Sequence, residues 1–419
     1  MRYQFLRGLK GIGPAIIVAT VVLGPGSILT SSKVGAEFGL IGLFFVLLAS
    51  ILMIGMVALS TRLGLVYENS LCEELTQHLG RGAAVFIGAT LFLVVALFQS
   101  SNNIAVIAGI ESLFESKCDD FVLGSTALRA SILISVNGFV IVCLYSMGHV
   151  YSLIERAMKV LMLVMVMAFV FNFLVVILKP RGYVLMAGSN NQDLIPLLAM
   201  IGTTFSIGGA FYQAYLVREK GWILADWRQG ITDSVFGISV LGVVTAVILM
   251  TSVMVFYGRQ EPVVLNNVGD VARQLEPLFG RASKIIFCLG IFSGALSSFL
   301  VNAIIGGTVL SDSLGKGCRL DSIWPRHLTG LALLIGMTLA ILSLTGTSGT
   351  VILITLAQAL TVLGLPALGL TLLYLGTRPE LTGARQVPRE ILVTCFLGFL
   401  VSCVLAVRTA FVVYGKIMG

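Results

Sequence analysis

The stretch L-G-P-G-S-I-L-T-S-S-K-V-G-A-E-F, residues 23–38, interrupts a hydrophobic span with Gly24, Pro25 and Gly26. Proline removes a backbone donor, and glycine gives up helical order at little steric cost. In a bilayer, backbone freed in this way is tolerated only where protein or a watery cavity satisfies it. A second interruption, Ser206-Ile207-Gly208-Gly209, lies inside another apolar span about halfway along the chain. Two broken spans in corresponding halves point to a solute site between them, and the chain is organised around that pair.

The surrounding composition fits this. The chain has 419 residues, 57% hydrophobic and only 11% charged, with a mean hydropathy of +1.00. Soluble domains carry roughly 25% charged residues. The expected class is therefore an all-α integral membrane protein with many spans. The +7 net charge is explained by Lys and Arg on cytoplasmic loops, without nucleic acid as a partner. The first ten residues are basic, but no small-residue cleavage site follows a short apolar core, so an uncleaved first span is expected. The seven cysteines show no CxxC spacing, and His78, His149 and His327 form no cluster. Neither a disulfide framework nor a zinc site is indicated, and no cofactor is expected. No nucleophile–base set, phosphate loop or redox motif is present, which argues against an enzyme.

Eleven spans are predicted, at residues 13–37, 40–61, 83–110, 127–147, 153–178, 194–217, 231–257, 285–310, 327–345, 350–376 and 390–413. Breaks in the first and sixth suggest two five-helix halves of opposite orientation, residues 1–180 and 181–378, with 379–419 adding the eleventh span. The distribution of Lys and Arg places the amino terminus in the cytoplasm and the carboxyl terminus outside. The expected partners are the lipid bilayer and a small-molecule or ion substrate. The oligomeric state is left open, a monomer being sufficient.

The order of motifs resembles the NRAMP family of proton-coupled divalent-metal transporters, which share the LeuT-type inverted-repeat fold. G-P-G-S-I-L-T-S-S-K-V-G-A-E-F-G (24–39) is similar to the family's D-P-G-N and G-A-Q-F-G stretch. Thr61-Arg62-Leu63-Gly64, F-S-G-A-L-S-S (292–298), A-Q-A (357–359) and L-P-A (365–367) resemble later family motifs in the same order. The resemblance covers nearly the whole chain and implies the LeuT-type 5+5 fold with broken helices 1 and 6.

The family holds its metal with the Asp and Asn of D-P-G-N, a Met and a carbonyl in the sixth span, and a Gln in the tenth. By that resemblance Gly24 stands at the Asp, Ser27 at the Asn and Ser206 at the Met. Gly208 and Gly209 replace the His and Asn of M-P-H-N, and Gln213 the second His. Asn102 and Ala105 replace the acidic pair linked to proton passage, Thr245 replaces an Asn, and Gln358 alone is retained.

A dication in a low-dielectric cavity favours carboxylate or imidazole, and a thioether selects softer ions. Without the Asp and Met, the set Ser27, Thr204, Ser206, Gln358 and backbone carbonyls is neutral. A glycine-rich break also leaves half-helix amino termini that attract anions. The four glycines moreover make room for something larger than an ion. The sequence thus leads to a secondary transporter with its metal site lost, moving a small organic, carboxylate-bearing solute by alternating access. A divalent-cation (Mg²⁺ or Mn²⁺) transporter with a non-standard site is the alternative, and a non-transporting membrane sensor a further one.

The expected substrate contacts are Gly24, Pro25, Gly26, Ser27, Thr204, Phe205, Ser206, Gly208, Gly209 and Gln358. Asn102, Asn103, Gln213 and Thr245 are candidates for the pathway, and the metal ligands, if any, are left open. Arg218, Glu219, Lys220 and Asp233 are candidates for an inner gate.

Overall fold

The structure is a computed structural model that describes residues 13–114, 126–146, 148–178, 193–258, 265–319, 322–345 and 350–418. Described residues are helical or in short turns, with no strand among them. The first span is two helices, α1 (Pro14–Val22) and α2 (Pro25–Phe38), each opened by proline in its first turn. Proline suits that position because its missing N–H would have no partner there anyway. Helices α3 (Ile41–Val66), α4 (Leu71–Leu79), α5 (Arg81–Phe114), α6 (Thr126–Ser146) and α7 (Gly148–Leu178) complete the first half. The sixth span is again split, into α8 (Ile195–Thr204) and α9 (Ile207–Glu219). After it come α10 (Trp227–Phe256), α11 (Ser283–Ser313), α12 (Ile323–Ser343), α13 (Thr350–Thr361), α14 (Leu365–Gly376) and α15 (Arg389–Met418).

Nine helical stretches among the described residues are long and apolar enough to cross a membrane. The split pair α1–α2 lies outside that nine, as does α7, whose apolar part is Leu163–Leu178. The all-helical, many-span architecture is as expected from the sequence, while eleven remains the sequence-based count.

The split helices sit at the centre. Helix α10 packs on α1, α2 and α3, and α9 packs on α3. A second group forms where α5 packs on α11 and α12, and α13 bridges the groups by touching both α5 and α8. The split sixth span is almost wholly buried, whereas α6 and α15 turn most of their length outward. Large apolar side chains such as Phe139, Val404 and Phe411 face outward on them, as lipid contact requires.

Polar contacts fix both ends of the first span. Beyond α2, Gln274 lies between α10 and α11 and donates from Nε2 to Ser32 Oγ (2.9 Å). Its backbone carbonyl accepts from Asn172 Nδ2 (2.7 Å), and Asn172 Oδ1 accepts from the Leu278 N–H (3.0 Å). Near the start of α1, the Ala15 N–H donates to Asp233 Oδ2 of α10 (2.7 Å). A side chain at Gly13 would overlap that carboxylate, and one at Gly237 would lie 2.8 Å from the Ala15–Ile16 backbone. The two backbones meet closely because both positions are glycine. At the end of α3, the buried Arg62 donates to the carbonyls of Ala384 and Gln386 (3.0 Å for the latter). Its guanidinium also lies 4.6 Å from the centre of a Trp227 ring.

Candidate functional site

At the first break the Gly24 N–H turns back to the Val22 carbonyl (2.8 Å), two residues away in place of four. Pro25 has no N–H to give. The Gly24 carbonyl accepts from the Ile28 N–H (3.3 Å) and from Ser27 Oγ (2.9 Å), which starts α2. Gly24, Pro25, Gly26 and Ser27 are all buried.

At the second break the Phe205 N–H still reaches the Ile201 carbonyl (2.7 Å). The next bond runs from the Ile207 N–H to the Phe205 carbonyl (3.0 Å). The regular ladder therefore skips the carbonyls of Gly202, Thr203 and Thr204, which are left as buried acceptors at the end of half-helix α8. Ser206 precedes α9 without a capping side-chain bond. Thr204 Oγ1 is buried without a hydrogen-bond partner.

Gln358 of α13 joins the two breaks. Its amide lies so close to Gly26 that a side chain there would overlap it. Its backbone carbonyl is 3.9 Å from where a Cβ on Gly202 of α8 would be. Gln358 Nε2 donates to Ser101 Oγ of α5 (2.7 Å), and Gln358 Oε1 is left buried without a partner. One N–H of the Gln358 amide is thus engaged with α5, while Oε1 is not engaged.

The room expected from the glycines is largely filled by neighbours. Gly26 is covered by Gln358, while a side chain at Gly208 would stand 2.9 Å from Leu91 and one at Gly209 2.9 Å from Val18. Beside Ser206, Gly208 and Gly209 a cavity of only about 20 Å³ remains, with Val18 and Asn302 in its wall. That is about the volume that admits a single water. An organic solute does not fit in this conformation.

Phe205 is fully buried, but its ring points to α15, 2.9 Å from where a Cβ on Gly398 would be. The other candidates spread more widely. Asn102 Nδ2 reaches Gln99 Oε1 (3.4 Å) and Asn103 Nδ2 the Gln99 carbonyl (2.8 Å). Asn137 of α6 donates to Asn103 Oδ1 (2.6 Å), so this asparagine pair ties α5 to α6. Thr245 Oγ1 bonds back to Leu241 of its own helix (2.8 Å). Gln213 donates to Thr61 Oγ1 (3.1 Å), which is paired with Ser234 (3.3 Å), beneath the second break. Of the gate candidates, Asp233 holds α1 and Arg218 donates to the Glu68 carbonyl. Burial lowers the Lys220 ammonium's pKa, and the Asp233 charge opposes that shift. Ser101 was not anticipated, although the polar run Gln99–Asn103 in an apolar span was a signal for it.

Among the described residues, the metal-type cluster is elsewhere, at Glu74, His78 and Glu380. His78 Nε2 lies 2.9 Å from Glu380 Oε1, and Arg378 donates to His78 Nδ1 (3.0 Å). An arginine can only donate, so Nδ1 is the acceptor in that bond, while Nε2 makes no hydrogen bond of good geometry. That arrangement is a polar clasp between α4 and the turn after α14. A metal-binding histidine would instead offer a bare nitrogen and donate from the other.

Two broken spans packed at the centre of a helical bundle, with a polar residue bridging them, define a broken-helix membrane transporter. A family profile described as natural resistance-associated macrophage protein-like matches residues 15–412. The chain belongs to this Nramp family. It is 22% identical to a divalent metal cation transporter MntH of Klebsiella pneumoniae, covering 97% of this chain and 94% of that protein. Identity to an MntH of Mesorhizobium japonicum is 21%, over 99% and 90% of the two chains. The crystal structure of a manganese transporter of Eremococcus coleocola superposes with a TM-score of 0.71 at 18% identity. That match covers 97% of this chain and 87% of the other, and it shows the shared fold.

Proposed function

We propose that this transporter moves a divalent metal cation by alternating access and holds it between the two breaks with neutral oxygen donors. The observation that carries this is the sign of the unpaired groups. Gln358 Oε1 and the skipped carbonyls of α8 can only accept, and the buried Thr204 hydroxyl, able to accept or donate, has no partner. Unpaired acceptors attract a cation, and in transporters of this build such carbonyls coordinate the ion. Similarity to proteins named as divalent metal cation transporters supports the choice of cargo. Without a carboxylate the cation keeps part of its hydration shell, as Mg²⁺ commonly does.

In this reading the two five-helix halves form the repeat, and the amino terminus faces the cytoplasm. Helices α1 and α9 move at the breaks, where the ladder is already open. The Asp233–Ala15 bond is the inner latch and Gln274 on Ser32 the outer one.

A second reading, a carboxylate-bearing organic solute, is favoured by one feature: neither break carries an acid, and both carry a serine. Calorimetry with Mn²⁺ and Mg²⁺ separates the two. Cation transport requires heat of binding in the unaltered protein, strengthened by Gly24→Asp and weakened by Gln358→Ala. Heat only in the Gly24→Asp variant, with uptake of an organic acid by the unaltered protein, overturns it.

A further inference from the structure

An amide side chain has two ends of nearly the same shape and opposite sign: an oxygen that attracts cations and an N–H₂ that attracts anions. Which end Gln358 offers depends on what fixes the rotation of its amide plane. Here the nitrogen end is the one that is held. Nε2 donates to Ser101 Oγ of α5 (2.7 Å), and it is the Gln358 atom nearest to where a Cβ on Gly26 would stand. Oε1 is the end turned away from both, buried and without a partner. Ser101 is itself fully buried, on the helix that packs along α13. Its neighbours are engaged elsewhere, since Asn102 and Asn103 bond to Gln99 within α5. Ser27, next to Gly26 in the chain, donates to the Gly24 carbonyl.

We propose that Ser101 is a positioning residue that selects the sign of the cargo, by holding the Gln358 amide with its oxygen free for a cation. This rests on the cation reading above, because a carboxylate-bearing solute would need the N–H end. Without the hydroxyl the nitrogen end loses its hydrogen bond, and the amide can turn over. If both rotations are then equally populated, the apparent affinity for a cation falls about twofold, and a preference for the turned form lowers it further. The loss stays within the effect of removing the amide, because Ser101 acts only through it.

The test is calorimetry with Mn²⁺ on the full chain, comparing Ser101→Ala, Ser101→Thr, Gln358→Ala and the double variant of Ser101→Ala with Gln358→Ala. Ser101→Ala should weaken binding about two- to tenfold. Ser101→Thr keeps the hydroxyl and should restore it. In the Gln358→Ala background the loss of the hydroxyl should do nothing, the mark of a residue that acts through another. Unchanged affinity in Ser101→Ala overturns the proposal, and so does an equal loss with and without Gln358. Ser101→Cys, close in size and a much weaker acceptor, takes the place of alanine if that variant does not fold. A second readout needs no metal. Proton exchange of the Gln358 side-chain N–H₂, followed by NMR with isotope-labelled glutamine, should quicken in Ser101→Ala. Unchanged exchange overturns the anchoring, whatever the cargo. Absence of Mn²⁺ heat from the unaltered protein defeats the cation reading and the choice of sign with it, while quicker exchange would still uphold Ser101 as the anchor of the amide.

Discussion

At the first break Ser27 donates to the Gly24 carbonyl, that carbonyl also accepts from Ile28, and the missing N–H is proline's own. At the second, Ser206 caps nothing, Thr204 Oγ1 is orphaned, and three successive carbonyls are skipped. Both ladders skip carbonyls, but the serine of the first break is bonded within it and the second holds an unpaired threonine hydroxyl. Buried polar groups without partners are costly, and they persist in native structures where a ligand, water or ion satisfies them. The comparison assigns posture to the first break and binding to the second, with Gln358 serving both.

The largest effect should come from filling the contact between them. Gly26→Leu forces a side chain into Gln358 and should cost on the order of 1–3 kcal/mol, as overpacking does. A lowered thermal midpoint and abolished cation binding are expected, and an unperturbed protein would deny that Gly26 and Gln358 touch. Gln358→Ala should weaken cation binding about tenfold, equivalent to ~1.4 kcal/mol, with calorimetry as the measure.

Two matched changes then sharpen the contrast. Ser27→Ala removes a bond made within the first break, so it should lower stability by about 1 kcal/mol and leave affinity nearly unchanged. Thr204→Val removes an unpaired hydroxyl, so it should leave stability level or raise it while affinity falls. Denaturation midpoints and titrations on the same pair check both. If the two variants behave alike, the division of labour between the breaks is wrong. The smallest effect concerns the end of α1. Asp233→Asn keeps an acceptor but removes charge from a helix start, a change of roughly 0.3–1 kcal/mol. Amide exchange along α1 should quicken, with α2 unaffected.

Much of this centre was legible in the sequence because proline and glycine act locally. Gly24, Pro25 and Gly26 stop a helix wherever it packs, and Gln358 stood out as a polar residue at a recognisable position in an apolar span. What the chain did not disclose depends on partners far away in it. Glycine suggests empty space only until the neighbour is known, and here Gln358, Leu91 and Val18 occupy it. Phe205 sits in the break by sequence, yet which way its ring turns was settled by Gly398, on a different helix. Asn102 and Asn103 were expected inside the protein; their bonds to Gln99 lie within α5, and the bond of Asn103 to Asn137 follows from how α5 meets α6. The pairing of Ala15 with Asp233 spans 218 positions and leaves no local pattern.

The arginine at the end of α3 has a consequence for how the chain is made. Arg62 emerges from the ribosome early, but its carbonyl partners at Ala384 and Gln386 come more than 320 residues later. Until then a guanidinium destined for burial has to wait at the membrane surface, where long cationic side chains can rest. A chain that ends before residue 384 therefore keeps an unmatched charge at the end of its second span.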